Sequence, residues 1–482
     1  MKHLKLPVKP SMQGKNHIAF KGGTYSVAVT AVVLAIIITI NILVSSLPKT
    51  ITKYDTSSSK LYSITSDTKV VVNALEKDVV INWIVQSGKE DEVIENLLDK
   101  YGSLSEHISI VKKNPDIYPD YAEQYTSEEV LNNSLVVESG KRSRYISYND
   151  IYVQKADMAS YSYETSFDGE SAVTSAIDYV VNEEQPQLYI TEGHGEEELP
   201  DSFANQIEKE NIETSTFSLL TTGSVPEEAD CILMYAPQSD ISFKEKKLLA
   251  DYVSDGGKLM VIAGPVQKGN LKNLCILLAD YGVESTKGIV VESDRSRYAF
   301  QAPYVLLPEI QENEITEPLI KENYYVIMPV SQGMVIKDTN TGSASSLLSA
   351  SDTSFSKIKG YNLKSYEKED GDIDGPFSLA VSIECNNNGQ IIWFSSSDFL
   401  EDKYNAYSSG ANLDLGINAL SSLTVENKAA TIRSKPLNYN YLAISDSASS
   451  MLKILMIGVL PLAYIGTGCL VILKRRQKNG AY

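Results

Sequence analysis

Two apolar runs bracket a long stretch of periodic and alternating patterning. The first, "YSVAVTAVVLAIIITINILVSSL", is Tyr25 to Leu47, and the second, "MLKILMIGVLPLAYIGTGCLVIL", is Met451 to Leu473. Each has 23 residues, a helix of roughly 35 Å, which spans a bilayer with some tilt. Between them, "VVINWIV" (Val79–Val85) reads as a buried strand. "EDEVIENLLDKYG" follows as a helix with Val93, Leu97 and Tyr101 on one face and Gly102 as its stop. "HISIVK" is a strand, and "SLVVES" and "RYIS" are strands around the turn Gly140-Lys141. "GESAVTSAIDYVVNEEQP" is a helix with Val173, Ala176, Ile177 and Val180 as its apolar stripe and Pro186 beyond it. These elements, with one further helix expected between "HISIVK" and "SLVVES", make the order βαβαββα over about 54–182, which predicts a thioredoxin-like unit. The link where a thioredoxin carries its redox cysteines is here "QSGKE" (Gln86–Glu90), so dithiol chemistry is excluded.

From about 186 the pattern changes to alternating short apolar runs and helical periods. "QLYIT" is a strand, and a helix follows from about Pro200 to Glu210. "ETSTFSL" and "DCILMYA" are strands, "SFKEKKLLADYVSDGG" is a helix and "KLMVIAG" is a strand. The helix carries a capping box, Ser242 to Glu245, and a Gly256-Gly257 stop. This alternation predicts a doubly wound parallel sheet of glutamine-amidotransferase-like or flavodoxin-like type. Further on, "FSLAVSIEC", "NNNG" and "QIIWFSSSDF" predict a hairpin, and "NLDLGINALSSL" a helix. The fold expected is therefore α/β: a thioredoxin-like unit without C-x-x-C (48–185), a doubly wound unit (186–424) and a linker (425–450). Transmembrane helices at 25–47 and 451–473 flank them, with basic tails at 1–24 and 474–482.

Charge sets the orientation. Lys2, Lys5, Lys9, Lys15 and Lys21 precede or adjoin the first run with no acid among them, and "KRRQK" follows the second. The positive-inside rule then places both termini in the cytoplasm and everything between them outside. The formal net charge of −19 becomes −29 for that outer part, which leaves nucleic acid a poor partner. The first run is longer than a signal-peptide core and no Ala-x-Ala site follows it, so it reads as an uncleaved anchor. Cys231, Cys275, Cys385 and Cys469 form no C-x-x-C, which excludes a disulfide scaffold and a cysteine zinc site.

Candidate chemistry is sparse. In open parallel sheets ligands sit at the carboxyl ends of strands. Gly193-His194-Gly195-Glu196 follows "QLYIT", Pro237 follows "DCILMY", Pro265 follows "KLMVIA" and Asp398 follows "QIIWFS", so these residues are expected to face one crevice as a ligand site. His194 is either a base or ligand there, paired with Glu192 or Glu196, or part of a tight turn that the glycines permit. The turn is the favoured reading. It predicts that Gly193→Val damages folding while His194→Ala costs little stability. No G-x-C-x-G, G-x-S-x-G, H-E-x-x-H, phosphate-loop or dinucleotide motif occurs. "DGDIDG" (Asp370–Gly375) starts like a calcium loop through Asp370, Asp372 and Asp374, but its twelfth position is Val381 rather than Glu, so an ordinary acidic turn is favoured. Tyrosine is in excess, 29 against 10 phenylalanines, which suits either a glycan surface or amphipathic packing in a water-facing unit.

Five segments occur in order: "YDTSSSKLYSITSDT" after the first run, "FDGESAVTSAIDYV", "LYITEGHGEEEL", "SFKEKKLLADYVSDGGKLMVIAGP" and "GQIIWFSSSDFL…LGINAL". In these the chain resembles the GldG family of gliding-motility-associated ABC-transporter accessory proteins over about Tyr54 to Leu423. The tetrad Gly193–Glu196 is the most specific shared element, and the family's "GDSDF" wording is here "SSSDF". The resemblance implies a membrane-anchored extracytoplasmic subunit beside an ABC permease and ATPase, with no cofactor and no established catalysis. A cell-surface hydrolase using His194, or an envelope scaffold, is the alternative.

Overall fold

The computed structural model describes residues 15–45, 60–127, 129–157, 162–424, 432–437, 450–451 and 453–479. Lys2, Lys5, Lys9, most of the expected linker and residues 480–482 lie outside them. The first apolar run belongs to helix α1 (Lys15–Ser45). Among the described residues one helix, Ile454–Lys474, is long and apolar enough to cross a membrane, while Val27–Leu43 is a shorter apolar stretch.

The N-terminal unit opens with a helix that the sequence pattern hides, α2 (Ser66–Asn73). Its "VVVN" end has strand propensity, yet Thr65 caps its start and Val72 is fully buried. Strand β1 (Val79–Ile84) follows, then helix α3 (Glu92–Leu104), capped by the Asp91 carboxylate on the Val93 and Ile94 N–H groups. The face that α3 buries is Ile94, Leu97, Leu98 and Tyr101; Val93 is half-buried and the helix continues through Gly102. Strands β2 (Ile108–Lys113), β3 (Ser134–Ser139) and β4 (Arg142–Ile146) complete a sheet of order β2-β1-β3-β4. The β1–β2 pair is parallel and the other two pairs are antiparallel. A hairpin absent from the expected order comes next, β5 (Tyr152–Asp157) and β6 (Ser162–Phe167). Helix α4 (Gly169–Val181) then lays Val173, Ala176, Ile177 and Val180 on the unit's core, as its periodicity predicts.

The second unit is built on a sheet of 10 strands. Its strands β7 (Gln187–Thr191), β8 (Glu213–Phe217), β9 (Cys231–Tyr235) and β10 (Lys258–Ile262) alternate with helices α5 (Asp201–Lys209) and α6 (Phe243–Ser254). Helix α7 (Lys272–Asp280) leads into strands β11 (Val283–Ser285), β12 (Met334–Ile336), β13 (Gly342–Ser349), β14 (Ser378–Cys385) and β15 (Gln390–Phe394). Helix α8 (Ala411–Thr424) closes the unit. Five strands are parallel in the spatial order β8-β7-β9-β10-β15, and β14 turns the sheet antiparallel as the expected hairpin. Successive residues of one strand serve opposite faces. Leu233, Met260 and Phe394 meet Phe203 and Ile207 of α5 and Leu415 of α8. Met234, Val261 and Trp393 meet Leu249 and Val253 of α6 and Leu274 of α7. Because both faces are covered, the central strands read as unbroken apolar runs. Between β11 and β14 the chain adds a small sheet of Ile289–Glu292, Ser354–Lys357 and Ile373–Asp374, which no sequence pattern announced. The whole is a mixed α/β protein with several sheets.

One further element lies in the stretch expected to be linker. Strand β16 (Lys435–Pro436) pairs with β6, so the chain returns from the second unit to the first. The Lys435 ammonium lies 2.6 Å from the Glu170 carboxylate and donates to the Ser63 carbonyl. Glu170 also accepts from the Thr65 N–H and from the Thr65 and Thr68 hydroxyls. Helix α9 (Leu460–Asn479) carries the second apolar run to the end of the described chain.

Candidate functional site

The carboxyl ends of the parallel strands are joined loop to loop. After β7, Gly193 and Gly195 take φ of +116° and +71°, a region open to glycine and strained for other residues. A side chain on Gly193 would stand 3.2 Å from the Ser218 hydroxyl, and one on Gly195 would stand 3.4 Å from the Gln238 side chain. This double bend turns His194 inward, where it is 4% exposed. Its carbonyl accepts from the Gln238 N–H, the Ser239 N–H and the Ser239 hydroxyl, which ties the loop after β7 to the loop after β9.

Both ring nitrogens of His194 face carboxylates. Nδ1 lies 3.2 Å from Glu196 and Nε2 lies 3.1 Å from Glu245, whose side chains are 7% and 2% exposed. The Glu245 contact is an ion pair off the line of a directed hydrogen bond, and that oxygen has no other partner. The other oxygen of each carboxylate is held by backbone, Glu196 by the His194 N–H and Glu245 by the Ser242 N–H. The hydrogen bond to Glu196, with the Glu245 charge adding to it, raises the His194 pKa against the cost of burial. Burial pushes the Glu196 pKa up, but the bonds from His194 and the backbone outweigh it and hold the carboxyl below its ordinary value. The result is a histidine ring seated between two carboxylates that favour its protonated form. Sequence reasoning found Glu196 and placed Glu245 in a capping box, which is present; it missed that the same Glu245 reaches the ring. Glu192 is exposed.

The remaining expected site residues lie along the same edge. Pro237 is buried behind Ala236, and Pro265 is half-buried with its carbonyl accepting from the Tyr361 hydroxyl at 3.1 Å. The Gly264 N–H donates to the Ser397 hydroxyl at 3.0 Å, which ties β10 to the loop that carries Asp398. Asp398 is half-buried, and burial with the nearby Glu401 and Glu197 charges pushes its pKa up to about 6, against the pull of Lys403. Burial, Asp398 and Glu197 push the Tyr361 pKa to about 12. Glu197 was not singled out from sequence; it lies in the acidic run after the tetrad and accepts from the Gln238 side chain. His194 and Asp398 thus belong to one edge, but the histidine is turned into the protein while the aspartate remains partly open.

Asp370, Asp372 and Asp374 do not act together. Asp372 is paired at 2.9 Å with Lys357, which is fully buried, and accepts from the Glu369 and Ile358 N–H groups. Asp374 pairs with Lys368, and Asp370 is exposed. Among the described residues no group of three His, Cys, Asp or Glu side chains is placed to hold a metal ion. In the DGDIDG segment Asp372 and Asp374 each pair with a lysine and point to different partners.

A family model described as ABC-type uncharacterized transport system matches residues 185–433, just over half of the chain. The chain belongs to that family and is an accessory component of an ABC-type transport system. No curated protein matches it. Among solved structures, it is similar to the mmIFT52 N-terminal domain at 14% identity and TM-score 0.39, covering 50% of this chain and 98% of the other. PurLQS from Thermotoga maritima is similar at 11% identity and TM-score 0.25, covering 50% and 100%. A ThuA-like protein from Parabacteroides merdae is similar at 9% identity and TM-score 0.27, covering 52% and 97%.

Proposed function

We propose that this chain is a GldG-like, non-catalytic extracytoplasmic component of a bacterial ABC transporter, held beside the permease and ATPase by two membrane helices with both termini in the cytoplasm. The observation that carries the non-catalytic reading is the state of His194. Both its nitrogens face buried carboxylates, so the ring is turned into the protein and has no open side from which to take a proton from a substrate or water. The Gly193–Glu196 loop is then a clasp across the strand ends, and a ligand would meet the more open part of the edge around Pro265 and Asp398.

The sheet orders support the finer fold assignment. The order β2-β1-β3-β4, with a parallel first pair and an antiparallel second hairpin, suits a thioredoxin-like unit at 48–185. The parallel order β8-β7-β9-β10-β15 suits the flavodoxin-like plan for 186–424. The return of the chain at Lys435 to Ser63 supports a two-anchor topology, because the segments leading to both apolar runs then leave from one place. Cysteine labelling with an impermeant reagent tests the topology. A cysteine at Ser57 reacts in intact cells and one at Gln477 reacts only after lysis. Labelling of both in intact cells overturns the two-pass reading. Copurification of the permease and ATPase with the tagged full chain tests the partner assignment, and their absence refutes it.

A further inference from the structure

A cavity of about 520 Å³ lies between the two units, away from the carboxyl edge. One wall is the outer face of α2 with Val70 and Val71. Helix α4 lines the cavity with Ser171, Ser175 and Asp178, the end of α5 with Glu210 and Asn211, and the returning chain with Ile432. Its size falls within the usual range for ligand sites. The apolar part is unusual for a surface helix: Val70 is 56% exposed, and its neighbours in the wall are Val71, Ala74 and Leu75.

The charged part has one sign in excess. Asp67, Glu76, Asp178 and Glu210 line the cavity, against Lys77 and Lys209. Both lysines pair with carboxylates outside the lining, Lys77 with Glu183 at 3.2 Å and Lys209 with Asp168 at 2.6 Å. Burial, and then the Glu170 charge, hold the Asp67 pKa above its ordinary value against the pull of Lys321 and a hydrogen bond from Ser66, so the negative charge around it outweighs the one nearby cation. The place of the cavity narrows the choice of occupant. Helix α2 begins six residues after the first described residue of the outer part, Lys60. Ile432 stands three residues before Lys435, whose ammonium reaches Ser63. The chain leading from the first apolar run and the chain leading to the second therefore meet beside this cavity.

We propose that the cavity receives a short protein segment bearing a lysine or arginine next to an apolar residue, contributed by an outer loop of the membrane-embedded permease. The apolar side chain lies on Val70 and Val71, and the cation meets Asp67 and Glu76. This inference rests on the two-anchor accessory reading, which brings the tether side of the molecule toward the membrane.

The test uses the full chain in its native membranes. A photo-crosslinking amino acid is placed at Val70 and, as a control, at the exposed Tyr366. The expected result is an adduct with the permease from position 70 and none from 366, with the crosslinked permease peptide containing Lys or Arg. The double substitution Asp67→Lys, Glu76→Lys should lower the adduct yield about tenfold, because like charges then face each other. Unchanged melting of that variant shows that the loss is not unfolding. If the permease copurifies but position 70 gives no adduct, or gives one indifferent to charge reversal, the docking site is wrong and the accessory role stands. An adduct with lipid, a small molecule or a soluble protein also overturns the docking site. If no permease copurifies, the accessory reading itself fails.

Discussion

Replacing His194 by alanine tests whether the tetrad is a structural clasp. The substitution leaves Glu196 and Glu245, 7% and 2% exposed, without the cation between them. Each keeps one backbone N–H on its other oxygen, so the loss is the shared ion pair and not the whole of either carboxylate's solvation. Removing one partner from a buried ion pair costs about 3–5 kcal/mol. For a unit of this size that lowers Tm by roughly 6–20 °C, far more than the small cost expected from the sequence alone. The effect depends on pH with a definite sign. The His194 pKa is raised from 6.5, so its contribution is fully present below 6.5 and is lost as pH rises through the raised value. The Glu196 pKa is lowered from 4.5, so its contribution is present above 4.5 and is lost as pH falls through the lowered value. The clasp is strongest between these two limits. Scanning calorimetry of the detergent-solubilised full chain at pH 5.5 and pH 9 measures the difference between wild type and His194→Ala. Adding Glu245→Gln to His194→Ala should recover about 1–2 kcal/mol, because an uncompensated buried charge is removed. An alanine variant that melts with wild type at pH 5.5, or a gap that widens toward pH 9, refutes the clasp.

Gly193→Val places a branched side chain at a φ of +116° and 3.2 Å from the Ser218 hydroxyl; it should cost about 2–3 kcal/mol in denaturant unfolding, and a neutral result removes the need for glycine there. Asp398→Asn should raise Tm at pH 8 and leave it unchanged at pH 3. The folded pKa of about 6 lies above the ordinary 3.8, so charging this carboxyl costs stability as pH rises through 6. Discounted for its partial exposure the gain is about 1–2 kcal/mol, and equal melting at pH 8 counts against it. Millimolar calcium should not shift Tm; a shift abolished by Asn at Asp370, Asp372 and Asp374 together would show that this lysine-paired segment binds the ion.

What the sequence made legible was decided by local pattern. Buried strands such as "CILMY" and "KLMVI" announce themselves because both sheet faces are covered, and the Ser242–Glu245 box marks a helix start by two short-range bonds. The carboxyl edge followed from strand polarity alone, which is why His194, Pro237, Pro265 and Asp398 were placed on it. The electrostatics there were not legible. Glu245 lies on α6, more than forty residues from His194, and only the packing of α6 on the sheet brings it to the ring. The missing elements have the same origin. "VVVN" has strand propensity but is held helical by the Thr65 cap and burial of Val72. β16 is two residues long and has no pattern; it exists because β6 offers an edge and Glu170 a buried countercharge.

That last contact fixes the path of the chain between the two units. A buried ion pair adds little net stability over an apolar pair, but it fixes a pairing by penalising every arrangement that leaves one charge alone. Glu170 is 2% exposed and collects donors from Thr65, Thr68 and Lys435. It therefore selects one seat for the returning chain, beside the segment that opens the first unit. Residues 60–63 and 432–435 thus meet on the first unit, on the side where residues 209–211 lead into β8 at the amino ends of the parallel strands. The edge with His194 and Asp398 lies at the other end, a strand length of roughly 17 Å away. The geometry separates two faces: the amino-end side carries the cavity, and the carboxyl edge with His194 and Asp398 lies away from it. The histidine clasp joins the loops after β7 and β9 and, through Glu245, joins α6 to them. Each end of the sheet thus carries a buried ion pair that fixes how distant segments meet: His194 with its two carboxylates at one end, Lys435 with Glu170 near the other.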